Sequence, residues 1–425
     1  MVHHGNHYEN KYQVIVIGGG TAGVIAALQA ARAGARTALF ESNGMLGGTM
    51  TSGGVAFPGL FHAWGKQIIA GIGWEMVLKS VALSNHQLPD FTQTPPRHWH
   101  HQIPLDGSVY ACVLEEACLE AGVNLHYYET AISGRKTAAG WQLRTVGKGP
   151  MQRTVTCQEL IDCTGDADIV GMLGYPRMRD EECQPGTLMF RFAGYDIAAL
   201  DHAAIEQAYH QALDDGSLRE GDVAHAQGRF TDFLAAGGSN QQHIFLADSS
   251  TAVGKTSANI RGRQSLLRLL RFVRRLPGCE QAYLADMSTE TGIRETYRIV
   301  GETMVTADDY VSGRVFPDAV GYSFYPIDLH HHTGIDTRPL PTGVAPTIPL
   351  GALIPKGSRN LLVAGRCIAS DRPAHSALRV QASCMAMGQA VGAAAALAAQ
   401  QRIPSREVAL TDIRHLLTEH GAIVP

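Results

Sequence analysis

The chain carries chemistry-bearing side chains in a few short blocks. In Tyr325-Pro326-Ile327-Asp328-Leu329-His330-His331-His332, Asp328 and His330 stand two apart, so on an extended strand they share one face and Tyr325 falls on the other. A histidine so placed could take a proton from a hydroxyl or amine, with the aspartate orienting it; a polar loop of histidines is the plainer reading. In Arg294-Glu295-x-x-Arg298 an arginine could hold a carboxylate through two parallel hydrogen bonds, and an ion pair buried between domains reads equally well. Arg372, His375 and Arg379 form a third source of polar groups. His98, His100 and His101 lack a clear fourth ligand, and the eight cysteines form no C-x-x-C pair, so no metal is expected.

These groups need a scaffold, and residues 12–41 announce it. Val14-Ile15-Val16-Ile17 is a β-branched run of the kind buried on both faces of a sheet. Gly18-x-Gly20-x-x-Gly23 follows at once, then an alanine-rich helix and a second strand, Thr37 to Phe40. Gly18 permits the tight turn, Gly20 lets a pyrophosphate approach the backbone, and Gly23 lets helix and strand pack closely. Thr21 and Ala22 open the helix, whose free N–H groups face the phosphates. Glu41, followed by Ser42, closes the second strand at the spacing of a carboxylate that accepts from a ribose hydroxyl. The pattern predicts a bound dinucleotide.

Length and composition set the limits. A chain of 425 residues can form two domains, or one large domain with an insertion. The formal net charge of −4 lacks the basic footprint of a nucleic-acid binder, so no nucleic acid is expected as a partner. The first residues lack the basic-then-apolar order of a signal peptide, and no uninterrupted apolar run reaches membrane-spanning length, so neither a membrane nor export is expected. Scattered reduced thiols point to a cytoplasmic location.

Along the rest of the chain, glycines crowd residues 44–54, predicting a loop pressed against the dinucleotide. Helices are expected at 64–84, 109–121, 200–213, 261–275, 382–399 and about 410–419. Strands are expected at 124–128, 187–193, 243–247 and 361–365, with a hairpin through 134–155. The six arginines of 261–275 read as a solvated helix face.

Three glycine turns arrive in order: GGGTAG, DCTGDAD and NLLVAGRC. With MLGGTMTSGG, RETYRIVGE, YPIDLHHH and GRCIASDRPAHSALRVQASCMAMGQAVG, they make the chain resemble FAD-dependent oxidoreductases of the glutathione-reductase structural type, closer to the fumarate reductase-like branch and similar to a bacterial "FAD-dependent oxidoreductase" family. The resemblance covers nearly the whole chain. It implies an α/β fold, with a Rossmann-like FAD-binding domain (ββα type, parallel central sheet) and an inserted α+β substrate or cap domain. The expected organisation is a disordered tail over 1–11, the FAD-binding domain over 12–175 and 345–425, and the substrate domain over 176–344.

Carried over position by position, the resemblance implies non-covalent FAD, with Gly18, Gly20 and Gly23 at its pyrophosphate and Glu41 at its ribose. Gly47, Gly48 and Thr49 would run beside the cofactor, and the backbone at Ala131 would meet the adenine. Thr164, Gly165 and Asp166 would lie near its middle, and Gly365 and Arg366 near the ribityl chain. The helix opening at Gln381, Ala382 and Ser383 would face the flavin. Many proteins of this type have aspartate where Arg366 stands here; Asp371 or a backbone group is the expected substitute.

The function expected from these features is dehydrogenation of a small polar substrate, with electrons passing to oxygen or an external acceptor. His330, Asp328, Tyr325, Arg294 and Arg379 are the candidate catalytic groups. Reduction of an activated C=C bond and a non-catalytic redox sensor are the alternatives. The oligomeric state is not legible.

Overall fold

A computed structural model describes residues 10–92, 98–149, 151–224, 229–332 and 334–425. Its centre is a five-stranded sheet built from Val14–Ile17 (β1), Thr37–Glu41 (β2), Asn124–Tyr127 (β3), Glu159–Asp162 (β4) and Leu361–Val363 (β5). The spatial order is β5-β4-β1-β2-β3, and every pairing is parallel. The strands β1, β2, β4 and β5 are buried throughout, as their unbroken apolar runs require in a sheet covered on both faces. The expected hairpin of 134–155 is an antiparallel sheet of three strands, Glu129–Thr137, Gly140–Gly147 and Gln152–Cys157.

Helix Thr21–Arg32 (α1) follows β1 and packs on helix Gln381–Gln401 (α2). Small residues make the approach possible: a Cβ on Gly388 would lie 2.2 Å from the Ala22 carbonyl oxygen, and one on Gly392 2.4 Å from that of Ala26. By length and mean hydropathy α2 could cross a membrane, although Ser383, Gly388, Gln389 and Gly392 interrupt its apolar run; 89% of its apolar window is buried inside the protein.

A second core lies between Leu188 and Ala282. Strands Phe190–Ala193, Gly238–Ser239 and Tyr283–Met287 form its sheet, and the 22-residue helix Ala252–Val273 covers it with Leu266, Leu269 and Phe272. Ile299, Tyr310, Phe316, Val320, Ile327 and Leu340 join the first core instead. Of the stretch expected as one inserted unit, 176–344, the end portion therefore packs with the dinucleotide-type sheet.

Local differences have local causes. The helix expected over 64–84 is Ile72–Leu83, because Gly71 at φ 86° breaks the chain just before it. Among the described residues, the strand expected at 243–247 has no ladder partner beyond one bridge, Gly186 to Ile244, and Leu246 at φ 52°, an exposed residue, breaks the run. Residues 1–9 of the expected tail lie outside the described residues. Asn10 and Lys11 are held: the Thr156 N–H donates to the Asn10 carbonyl at 2.8 Å, and Lys11 bridges Thr156.

Glu159 opens β4 only 1% exposed. Asn360 Nδ2 donates to its Oε1 at 2.5 Å, and Oε2 has no partner among the described residues. Burial pushes its carboxyl up to about 8 from 4.5, against opposing donors from Asn360 and Ser405. The folded state thus binds this proton more tightly than the unfolded one, and stability falls as pH rises from about 4.5 through about 8. Glu159→Gln keeps the acceptor and removes the charge. It is expected to raise the melting temperature by several degrees at pH 8 and hardly at all at pH 5; equal shifts at both would refute the charge argument.

Candidate active site

A cavity of about 400 Å³ opens at the carboxyl ends of the central strands, where Glu41 ends β2 and Gly18, Cys163 and Ala364 follow β1, β4 and β5. In parallel sheets this edge is where ligands settle. Three groups of residues line it.

The first group is the glycine turn and its acid. A Cβ on Gly18 would sit 2.4 Å from the Cys163 carbonyl oxygen, and one on Gly23 1.8 Å from that of Gly18, so both positions are closed to larger residues. A Cβ on Gly20 would meet no atom within 4 Å among the described residues; that side of it faces open space. Glu41 receives the Gly19 N–H at 2.6 Å and the Asn43 N–H at 2.7 Å. Burial raises its carboxyl above the usual range, and those two donors oppose the rise. Gly47 donates to the Gly19 carbonyl at 2.8 Å and so seats Gly48 and Thr49 on the cavity wall.

Neither α1 nor α2 has a side-chain cap at its N-terminus, yet Thr21 and Ala22 of α1 and Gln381 and Cys384 of α2 all line the same cavity. Two inward-facing helix N-termini without caps call for an anion and donor-hungry ligand. The open Gly20, the seated acid and these two ends fit a dinucleotide.

The second group centres on Asp166. Its Oδ1 accepts from Arg366 Nη2 at 2.6 Å, Thr296 Oγ1 at 2.5 Å and Ser249 Oγ at 2.9 Å, with Thr164, Gly165 and Gly365 beside it on the wall. Asp371 is not the substitute acid expected for the missing aspartate. Its Oδ1 caps the helix Arg372–Leu378 through the Ala374 N–H, its Oδ2 accepts the Ala307 N–H, and it does not line the cavity. The acid beside Arg366 is Asp166.

The third group is the catalytic candidate. Asp328 and His330 lie on strand Ile327–His331 with His330 Nε2 3.2 Å from Asp328 Oδ2. His243, which sequence reasoning had not singled out, brings Nε2 to 3.0 Å from His330 Nδ1. Burial and then the Arg294 charge push His330 down to about 4. For Asp328, burial favours the protonated form, but the bond to His330 and the charges of His330, Arg379 and Arg294 hold its carboxyl at about 2. At neutral pH Asp328 is ionised and His330 neutral. An ionised carboxylate only accepts, so His330 Nε2 carries the hydrogen and Nδ1 accepts from His243. Both ring nitrogens are engaged, and Asp328 Oδ1, with no hydrogen-bond donor among the described residues, is left open on this wall.

Arg294, Arg379 and Tyr325 complete this wall. Burial and then Arg379 lower Arg294 to about 9, while burial lifts the Tyr325 hydroxyl far up and keeps it neutral. Glu295 is engaged by Gln184 and Arg372, and Arg298 by Asp180.

Some expected contacts fall elsewhere. Thr130, next to Ala131, lines the cavity, and the Ala382 N–H is taken by the Pro58 carbonyl at 2.6 Å. Gly23 and Gly47 support the wall from behind. His98 belongs to a short helical turn, His98–His101, and no cluster of metal-ligating groups occurs among the described residues.

A family model described as "FAD dependent oxidoreductase" matches residues 13–417. The chain is 46% identical over 55 residues to dihydrolipoyl dehydrogenase from Trypanosoma brucei brucei, a match spanning 13% of this chain and 12% of that protein. Among solved structures, p-nitrophenol 4-monooxygenase from Pseudomonas putida aligns over 96% of this chain and 84% of its own, with 11% identity and a TM-score of 0.44. A geranylgeranyl bacteriochlorophyll reductase-like protein from Thermoplasma acidophilum aligns over 97% and 82%, with 13% identity and a TM-score of 0.42.

Proposed function

The chain belongs to the FAD dependent oxidoreductase family, and from that premise we propose that it dehydrogenates a small polar organic substrate at the Asp328–His330 wall. When bound, FAD supplies a two-electron acceptor for hydride. Gly20, the α1 N-terminus, Glu41, Gly48, Thr49, Asp166, Gly365 and the α2 N-terminus would hold it. The observation that carries the reading is the open Asp328 oxygen, backed by His330 and His243, on the same wall as two buried arginines.

The chain's own residues have to manage the proton left when a C–H bond gives up hydride. A hydroxyl or amine proton passes to Asp328 Oδ1, and the Nε2–H of His330 stabilises the carboxylate before and during transfer. His243 fixes the His330 ring by donating to Nδ1. Tyr325 stays protonated and acts as a hydrogen-bonding group. Oxygen or a separate electron carrier would take the electrons onward.

A second reading rests on Arg294. A guanidinium lowered to about 9 gives up its proton more readily than usual and suits protonation of a carbon in an activated double bond. The two readings part in one experiment. The oxidised holoprotein, mixed anaerobically with small hydroxyl- and amine-bearing compounds, is expected to lose its visible flavin band. If none bleaches it, while photoreduced protein is reoxidised by an activated alkene, the reductase reading replaces the first. The same photoreduced sample mixed with oxygen separates an oxidase from an enzyme that needs a carrier.

A further inference from the structure

We propose that the substrate is a small monocarboxylic acid whose carboxylate sits between Arg294 and Arg379, with a hydroxyl or amine on a neighbouring carbon presented to Asp328. The inference rests on the dehydrogenation reading of the same wall and adds the chemical class of what occupies it.

The argument begins with what these two arginines lack. Arg294 Nη1 donates to the Pro185 carbonyl at 2.5 Å and to Thr187 Oγ1 at 2.9 Å, both neutral acceptors. Arg379 Nη2 reaches Gln184 Oε1 at 3.3 Å and the Asp328 carbonyl at 3.5 Å, again neutral and long, and its buried Nε has no partner among the described residues. The neighbouring arginines are treated differently: Arg366 pairs with Asp166 at 2.6 Å, Arg372 with Glu295 at 2.9 Å and Arg298 with Asp180 at 2.6 Å. Carboxylates are available on this side of the molecule, and these two guanidiniums are left without one.

The charge balance then fixes how many anions fit. Asp328 is the ionised acid facing the two arginines, and it is bonded to His330; His330 and Tyr325 are neutral, and Glu295 is already taken by Gln184 and Arg372. Two cations against one anion leave a single unbalanced positive charge in a buried place, where an unpaired charge is costly. One carboxylate neutralises it. A second would leave the wall negative.

The anion also bears on the chemistry. The charges of Arg294 and Arg379 help hold Asp328 and His330 at low proton affinity. A carboxylate bound between the arginines offsets those charges, so the proton-accepting pair strengthens as substrate arrives. The step balances as hydride from the C–H bond to the flavin and the hydroxyl or amine proton to Asp328, leaving an oxo or imino acid.

The test needs no turnover. Titrating the oxidised holoprotein with acetate is expected to perturb the flavin band saturably, while acetamide, of the same size and uncharged, binds at least about tenfold more weakly, as loss of a charge-assisted hydrogen bond implies. Succinate is expected to bind no tighter than acetate. Arg379→Gln, still loaded with FAD, should weaken acetate by about tenfold or more; the wild-type comparison decides the matter even if that variant does not hold the cofactor. Equal binding of acetate and acetamide, or succinate binding at least about tenfold tighter than acetate, overturns the inference. Failure of every hydroxyl or amine compound to bleach a protein that does select acetate would instead sink the dehydrogenation reading alone.

Discussion

Asp328→Asn is expected to lower the rate of substrate-driven flavin reduction by about 10²–10⁴-fold while FAD remains bound at full stoichiometry. The substitution keeps shape and removes charge. His330 Nε2, 3.2 Å from the carboxylate, can still donate to the Asn oxygen, so the ring and His243 behind it stay in place. What disappears is the open carboxylate oxygen on the wall, which takes a proton and becomes neutral. His330→Ala should lose less, because Asp328 Oδ1 survives, although its partner and its fixed position do not. Stopped-flow bleaching of the flavin under anaerobic conditions measures both. Rates within about threefold of wild type for both variants would move proton acceptance to another group.

Gly23→Val is expected to remove FAD binding altogether, and with it most of the folded protein. A Cβ at this position would lie 1.8 Å from the Gly18 carbonyl oxygen and 3.0 Å from the Cys163 Cβ. The obstacle is backbone in the turn between β1 and α1, which cannot swing aside as a long side chain could. Relief requires moving α1 away from β1 and β4, which costs more than about 4 kcal/mol, at the severe end for single substitutions. Gly20→Ala makes the contrast. Its Cβ would meet nothing in the protein and would project into the space a pyrophosphate needs, so this variant should fold and bind FAD weakly. Flavin content after purification and thermal unfolding of the apoprotein distinguish the two effects. A Gly23→Val protein that purifies yellow with wild-type melting would show that the turn has slack the geometry does not reveal.

The sequence announced the cofactor end of this site more clearly than the substrate end, and the reason is distance along the chain. Gly18, Gly20, Gly23 and Glu41 belong to one contiguous strand–turn–helix–strand unit, so their spacing carries their geometry. Asp328 and His330 were legible as a pair because a strand places every second residue on one face. His243 was not, since the bond that matters to it spans 87 residues and its own neighbours form no regular element. Asp166 was expected beside the cofactor, but its three donors come from Ser249, Thr296 and Arg366, segments that only the fold assembles. Arg298 and Arg294 look alike on the page. One finds Asp180, and the other, among the described residues, hydrogen-bonds to neutral acceptors.

The packing of α1 on α2 has a bearing on how the protein is made. Gln29 and Gln389 share a hydrogen bond at 3.1 Å across 360 residues of chain. At synthesis rates of about 5–20 residues per second, the face of α1 that α2 covers waits roughly 20–70 s for its partner. Once made, β4 likewise waits for β5, leaving an apolar strand edge open while the second core can already close on itself. The cofactor-binding half is therefore the last to finish, and a nascent chain of this protein is exposed to aggregation at a face its mature form buries.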